Sequence, residues 1–411
     1  MPLLSHEVMR EREMTLRSLA VIAAAVFTAL GASAQTYTVI DRTPVGWTEA
    51  FFNGAGGSQG VGTGSFPVDV PGIPDARATH AFVWDNAAQS FADLHPGDAW
   101  SGSFAFDASA GQQVGFGFTS GPNIALLWTG SAESFITLDT PGTVSTVALA
   151  TDGITQVGSA LTRNSPDESR AFLWNGTAAS GRELAFPNGF AASVASGVRG
   201  SAIVGTGDDE NFFQAGLYWA NDSASPIIVR PNGFEETRLN DVDGNLALGS
   251  GFGTPTDFQR HAFLWDVNSI ENGLDLHPTD SIYTFSDANA LLPANESFQS
   301  GVQVGIAAFE NDNFEFIEHA AVWFGSAESF IDLHDAVVDS LGPEFRFSRA
   351  TGIGEDGTIY GTATDGLGSF RAVQWNIIPS PSSALICLIA AGTLGARSRS
   401  RSSSRTSPHA A

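Results

Sequence analysis

Three histidines each follow an Asp-Leu pair and are the most site-like polar residues of the chain: His95, His277 and His334. Imidazole groups at recurring positions could bind zinc or transfer protons. The three residues nevertheless fall at equivalent points of different sequence repeats. They would meet at one metal only if all of them faced a common axis, so we predict a structural or loop role for each.

A short acidic segment, Asn240 to Asn245, offers a second chemistry. Its oxygen-bearing side chains Asp241, Asp243 and Asn245 have the spacing that begins a calcium loop. No glutamate stands at the expected twelfth position and no helices flank the segment, whereas an Asp-Gly hairpin turn explains the same residues. Calcium is therefore the only cofactor that the sequence suggests, and we predict no other metal or cofactor.

Catalytic motifs are not recognisable in this sequence. It contains no phosphate loop, His-Glu-X-X-His or paired-cysteine pattern. Residues 35–378 hold 41 acidic and 12 basic residues, so carboxylate pairs are plentiful and none is singled out. The sequence predicts no catalytic residue, and an enzyme is the less favoured interpretation. The same negative charge repels phosphates and excludes nucleic acid as a partner.

The elements that position these residues repeat along the chain. Seven tryptophans end short apolar runs at intervals of 44 to 58 residues. They are Trp84, Trp128, Trp174, Trp219, Trp265, Trp323 and Trp375. Each has a glycine 13 to 22 residues upstream, in the series Gly62, Gly115, Gly158, Gly205, Gly249, Gly305 and Gly361. We expect the tryptophans to fill the core between sheets and the glycines to allow close backbone approach or a bulge.

The repeat length predicts the fold. About four short strands, rich in Phe, Val, Ile and Trp and separated by turn residues, fit each repeat. Seven such units predict an all-β chain, a seven-bladed β-propeller-like repeat domain over residues 35–378. Only six repeats have a downstream strand, so we predict that Thr36–Asp41 supplies the seventh and closes the ring.

The two ends predict export. Residues 1–34 have a signal-peptide pattern, with Met14 as an alternative start. The pattern consists of Arg17, an apolar run from Leu19 to Leu30, and the small residues Ala32 and Ala34 before Gln35. Signal peptidase is thus an expected partner. The sole cysteine, Cys387, lies outside residues 35–378, so that region forms no internal disulfide.

The C-terminal segment, residues 379–411, contains three consecutive features. Pro379, Ser380, Pro381, Ser382 and Ser383 precede an apolar stretch, Ala384 to Ala396, and an arginine tail. This order resembles the PEP-CTERM sorting signal of bacterial surface proteins, with Ser380 in place of the glutamate. The resemblance implies an exosortase-like processing enzyme as partner and transient membrane anchoring. A plain anchor or an unstructured tail is the alternative.

The tryptophan runs carry a further resemblance. His80-Ala81-Phe82 and His261-Ala262-Phe263, each after a glycine strand and before Asp-Leu, are similar to the HAF-type extracellular repeat. The similarity covers residues 60–376 and implies an extracellular propeller-like domain without catalytic residues. Our first hypothesis is therefore an exported, surface-associated binding or extracellular-matrix module that contacts a glycan or a protein through its loops. The alternative is an extracellular polysaccharide hydrolase or lyase on a propeller scaffold.

Overall fold

A computed structural model describes residues 36–71, 73, 75–280, 282–295, 298 and 301–378. Residues 38–376 form one compact unit. The signal-cleavage residues Ala32, Ala34 and Gln35 and the sorting motif Pro379 to Ser383 lie outside the described residues, and both stay predictions. No helix among the described residues is long and apolar enough to cross a membrane.

Seven four-stranded antiparallel sheets follow one another along the chain, which confirms the seven-bladed propeller. Blade 1 contains β2 (Glu49–Gly56), β3 (Gln59–Pro67), β4 (Arg77–Asp85) and β5 (Ser90–Asp93). Blade 2 contains β6 (Gly102–Ser109), β7 (Gln112–Phe118), β8 (Ile124–Trp128) and β9 (Ile136–Thr137). Blade 3 contains β10 (Thr143–Thr151), β11 (Gln156–Thr162), β12 (Ser165–Trp174) and β13 (Arg182–Glu183). Blade 4 contains β14 (Phe190–Arg199), β15 (Ala202–Asp209), β16 (Gln214–Trp219) and β17 (Ile227–Val229).

The remaining blades repeat this order. Blade 5 contains β18 (Phe234–Asp243), β19 (Leu246–Gly253), β20 (His261–Asp266) and β21 (Leu274–Asp275). Blade 6 contains β22 (Phe285–Leu292), β23 (Val302–Glu310), β24 (Phe316–Trp323) and β25 (Ile331–Asp332). Blade 7 contains β26 (Phe347–Ile353), β27 (Ile359–Thr364), β28 (Phe370–Ile378) and, as its outer strand, β1 (Thr36–Asp41). The N-terminal strand thus closes the ring as predicted.

Helix is a minor component of the described residues. The α-helix α1 covers His334–Leu341 between blades 6 and 7. Short 3-10 helices occupy Ala132–Ser134, Ala178–Ser180, Thr254–Thr256, Ile270–Asn272 and Ala327–Ser329.

The repeating glycines face a bulge in the first, innermost strand of each blade. In blade 2 the register between β6 and β7 shifts between Ala105 and Asp107, and the other six blades shift at the equivalent point. A Cβ on Gly115 would overlap the carbonyl oxygen of Phe104, and each of the other six glycines has the same relation to its own inner strand. The predicted close approach is therefore confirmed, because only glycine leaves room for the bulged strand.

The tryptophans lie between blades. Trp128 packs with Val61, Val83 and Leu94 of the preceding blade. All of the series except Trp84 have no exposed surface. Trp84 is half-buried and lies under the guanidinium group of Arg42, 4.1 Å from the ring centroid. The core role predicted for this series is confirmed.

Candidate functional site

The inner strands of all seven blades surround a central cavity of about 640 Å³. Its lining is partly polar because the bulged residue of an inner strand often bonds the next blade. Asn53 donates to the carbonyl oxygen of Ala105 at 2.7 Å, for example. Ser196, Asn240, Asn289 and Thr351 make the equivalent bond. These side chains hold the blades together and also give the cavity its polar wall.

Two carboxylates, Asp107 and Asp241, line this cavity at the position just after the bulge in blades 2 and 5. Asp107 accepts the N–H of Thr151 at 2.9 Å, and Asp241 accepts the N–H of Leu291 at 2.8 Å. Both donors belong to the following blade. Each aspartate therefore links two inner strands through a hydrogen bond that is stronger when the carboxylate is ionised.

The pKa of the Asp107 carboxyl is raised to about 8, chiefly by burial; the hydrogen bond from Thr151 acts against this rise, and the negative charge of Asp241 contributes to it. Burial also raises the pKa of Asp241, and the positive charge of the nearby Arg199 lowers it. A carboxyl whose pKa is raised by burial, in a cavity that also holds a second carboxyl, is a general-acid candidate. The sequence could not single out this pair, because nothing in it shows which of the acids follow a bulge.

The calcium candidates separate in the structure. Asp241 lines the cavity, with its second oxygen accepting the N–H of Val242 at 2.7 Å. Asp243 ends β18, and Asn245 follows Gly244, whose φ of 56° forms the hairpin turn. Among the described residues, no group of three or more His, Cys, Asp or Glu side chains is placed to bind a metal. The hairpin interpretation fits this geometry, and calcium binding stays a prediction.

The three candidate histidines each belong to what we call a histidine clasp. A clasp contains the first histidine of a tryptophan run, the Asp of the next strand, the candidate histidine and a serine of the following blade. The members are His80, Asp93, His95 and Ser103; His261, Asp275, His277 and Ser286; and His319, Asp332, His334 and Ser348. The clasps lie at three different blade interfaces, so the histidines do not share one site.

Geometry within a clasp is closely repeated. The ring centroids of His80 and His95 are 3.8 Å apart with the planes 6° from parallel, and the other two pairs stack at 3.8 and 4.0 Å. Nδ1 of His80 lies 2.7 Å from the Asp93 carboxylate. Nδ1 of His95 lies 3.0 Å from Ser103 Oγ, which in turn accepts the N–H of Ala81. The predicted structural role of these histidines agrees with this arrangement.

At six of the seven blade interfaces, a serine or threonine hydroxyl of the following blade accepts a backbone N–H in this way. Besides the three clasp serines, Thr146, Ser193 and Thr237 accept the N–H of Ala125, Ala171 and Gly216. All six hydroxyls stand three residues before the bulge of an inner strand. Blade 1 has Ala50 at that position, and Thr43, just after β1, accepts the N–H of Ala372 at 3.1 Å instead.

A second surface is formed by the loops that join the second and third strands of the blades. These loops emerge at one end of the ring because every blade has the same strand order. We define the hairpin-tip face by loops 210–213, 254–260, 311–315 and 365–369. Phe212, Phe258 and Phe314 on this face are 79%, 52% and 86% exposed.

These phenylalanines have a left-handed backbone, with φ of 66°, 58° and 60°. In blades 4, 6 and 7 the loop is pinned alike: Asp209, Asn311 and Asp365 each accept backbone N–H groups two and four residues ahead. The residue three positions after this accepting side chain is Phe212, Phe314 and Gly368 respectively, with Gly368 at φ 107°. Two blades thus keep an exposed aromatic side chain where the backbone favours glycine.

Comparisons with known proteins bear on the fold alone. No protein-family model and no curated protein matches the chain. An acylaminoacyl peptidase from Pyrococcus horikoshii is 9% identical over 84% of this chain and 51% of its own, with a TM-score of 0.49. A GH74 enzyme from Niastella koreensis is 10% identical over 80% and 54%, with a TM-score of 0.45. The chain spans about half the length of these two structures.

Proposed function

We propose that the protein is an exported, surface-associated, non-catalytic binding module that contacts a glycan or another protein through its hairpin-tip face. The observation that carries this proposal is the exposed, left-handed phenylalanine at consecutive tips. A left-handed conformation costs a residue with a side chain roughly 1–2 kcal/mol. The rings of Phe212 and Phe314 are 79% and 86% exposed and recover little of this cost by burial, so they are best explained by a partner that covers them.

Export and surface retention rest on the two ends of the chain. The signal-peptide pattern supports processing by signal peptidase before Gln35, and the Pro-Ser-Pro motif supports an exosortase-like enzyme acting near Pro381. Transient anchoring through the apolar stretch Ala384 to Ala396 would place the propeller at the outer surface. An exported ring without internal disulfides depends on its core and its closing strand for stability.

Replacing Phe212, Phe258 and Phe314 together with glycine should separate binding from folding. We expect thermal stability to stay equal or rise, because glycine relieves the left-handed backbone. We expect the purified full chain to lose most of its binding to washed host cells that lack the gene. The measurement is the cell-bound fraction after sedimentation, alongside the melting temperature.

Ile154→Ser is the matched control, because Ile154 is 76% exposed on a hairpin at the opposite end of the ring. Unchanged cell binding by the triple variant would contradict the proposal. The alternative, a polysaccharide hydrolase, is favoured by the near-neutral pKa of Asp107 in the cavity. Turnover of a polysaccharide that disappears in Asp107→Asn, with folding intact, would establish that alternative.

A further inference from the structure

The hairpin-tip face contains a groove between blades 5 and 6. It is lined by Phe252 and Phe258 on one side, Phe285 and Phe316 on the other, with Arg260 and Glu310 at its edges. The volume is about 650 Å³. Phe316 and Phe258 are 46% and 52% exposed, so the aromatic walls are accessible to a ligand.

The rings of this groove meet edge to face. Phe252 and Phe258 have centroids 6.0 Å apart with planes at 68°, and Phe285 and Phe316 have centroids 5.5 Å apart at 86°. Rings at such angles form apolar corners rather than one flat platform. A corner fits a branched aliphatic side chain, whereas a pyranose ring stacks on a flat face.

The charge of the groove and its neighbouring tips is negative. Arg260 donates to Glu236 at 2.9 Å, which neutralises the one guanidinium that lines the groove among the described residues. The tip arginines are paired as well: Arg230 with Asp209 and Arg346 with Glu315. Four exposed acids of this face take part in no ion pair among the described residues, namely Glu210, Asp257, Glu310 and Asp312.

Each exposed phenylalanine therefore has one of these unpaired carboxylates next to it in the sequence or two positions away. Glu210 accompanies Phe212, Asp257 precedes Phe258, and Asp312 accompanies Phe314. A surface that alternates apolar and negative groups is complementary to a chain that alternates apolar and positive groups. We propose that this face binds an extended polypeptide segment with alternating aliphatic and basic side chains, anchored in the groove between blades 5 and 6.

This inference rests on the proposed function, since it names the partner of the same face. The test is fluorescence anisotropy with the full chain and a labelled peptide of Leu-Arg repeats. A Ser-Arg peptide of equal length keeps the charge without the apolar side chains, a Leu-Glu peptide keeps the apolar side chains with the charge reversed, and laminarihexaose serves as a glycan competitor. We expect the Leu-Arg peptide to bind at least about tenfold more tightly than either other peptide and to weaken as salt rises.

Variants assign the binding to the groove. Glu310→Gln combined with Asp257→Asn should weaken the Leu-Arg peptide by about fivefold or more, because two complementary charges are lost. Phe258→Gly should weaken it similarly while leaving the melting temperature equal or higher. Glu133→Gln is the control, because Glu133 is exposed on a loop of blade 2 at the opposite end of the ring.

Outcomes for the two proposals differ. Equal binding of all peptides, no effect of the groove variants, or displacement of the peptide by laminarihexaose would overturn the polypeptide inference. If the triple phenylalanine variant still loses cell binding in that case, the face remains a binding surface for a different ligand. If cell binding is also unchanged, the proposed function itself is wrong.

Discussion

At the scale of single residues, the first histidine of a His-Ala-Phe run is part of a contact between blades. It holds a carboxylate of its own blade and supports a second histidine, which bonds a serine of the next blade. Nδ1 of His334 lies 2.9 Å from Ser348 Oγ, whose oxygen accepts the N–H of Ala320, and in the equivalent clasp Nε2 of His277 lies 3.2 Å from the Tyr283 carbonyl oxygen, where it acts as a donor. The ring is thus bound in its neutral form.

Acid should weaken this contact. Burial lowers the pKa of His334 to about 4 from its ordinary 6.5, and the adjacent His319 adds to the effect. The unfolded chain takes up a proton near pH 6.5 and the folded chain resists until about 4, so stability falls as pH drops through that window. The shift corresponds to roughly 3 kcal/mol at 1.36 kcal/mol per unit.

The measurement compares urea unfolding of the wild type and His334→Gln between pH 8 and pH 4. We expect the advantage of the wild type to shrink by up to about 3 kcal/mol on the acid side. The carboxylates titrate in both proteins and cancel in the difference. A constant difference across this range would mean that His334 is not bound as the neutral ring.

Sequence reasoning predicted the structural role of these histidines but not their partners. Ser103 and Ser348 belong to the following blade and are ordinary serines in the sequence, without a motif that marks them. The partner of a side chain in a ring depends on which strands become neighbours, and that is known only after the blades are placed. For the same reason, the sequence did not single out Asp107 as a cavity residue.

At the scale of the element, each blade is built around a bulged inner strand and the glycine that faces it. The glycine and tryptophan series predicted the blades because both are consequences of backbone packing, which repeats with the fold. The left-handed phenylalanines were not predictable, because Phe212 and Gly368 occupy the same loop position with unlike side chains. A left-handed φ at a residue type that disfavours it leaves no pattern in a single sequence.

Gly205→Ala should be strongly destabilising. Its methyl group would overlap the carbonyl oxygen of Val194, so the bulge and the pairing of β14 with β15 must shift. We expect a loss of about 3 kcal/mol or more in the free energy of unfolding. The control is Gly121→Ala, where the methyl group would have no neighbour within 4 Å, and the change should be within about 0.5 kcal/mol. Equal effects at both sites would disprove the bulge argument.

At the scale of the whole ring, closure depends on a segment that no repeat encodes. Beyond the strand β1, Arg42 donates its N–H to the Ala372 carbonyl at 2.7 Å and covers Trp84 of blade 1. Thr43 replaces the hydroxyl that blade 1 lacks at Ala50. The sequence predicted the closing strand from a count of strands, but the contribution of Thr43 required the coordinates.

Thr43→Val should therefore destabilise the ring by about 1–3 kcal/mol, because the buried N–H of Ala372 loses its acceptor. Thr43→Ser keeps the hydroxyl and should be nearly neutral. Adding Ala50→Ser to Thr43→Val should restore much of the loss, since it places a hydroxyl where the other six blades have one. Chemical denaturation measures all four proteins, and failure of the rescue would refute the equivalence of the two positions.

The hydroxyl-bonded amides have a consequence for how the ring opens. Six such amides donate across a blade interface to a hydroxyl of the following blade, and the seventh, that of Ala372, donates to Thr43 in the segment that follows β1. Their rates of deuterium uptake in the native state would report the opening of each interface separately. The order in which these seven amides exchange would therefore give the order in which the blade interfaces and the closing segment open.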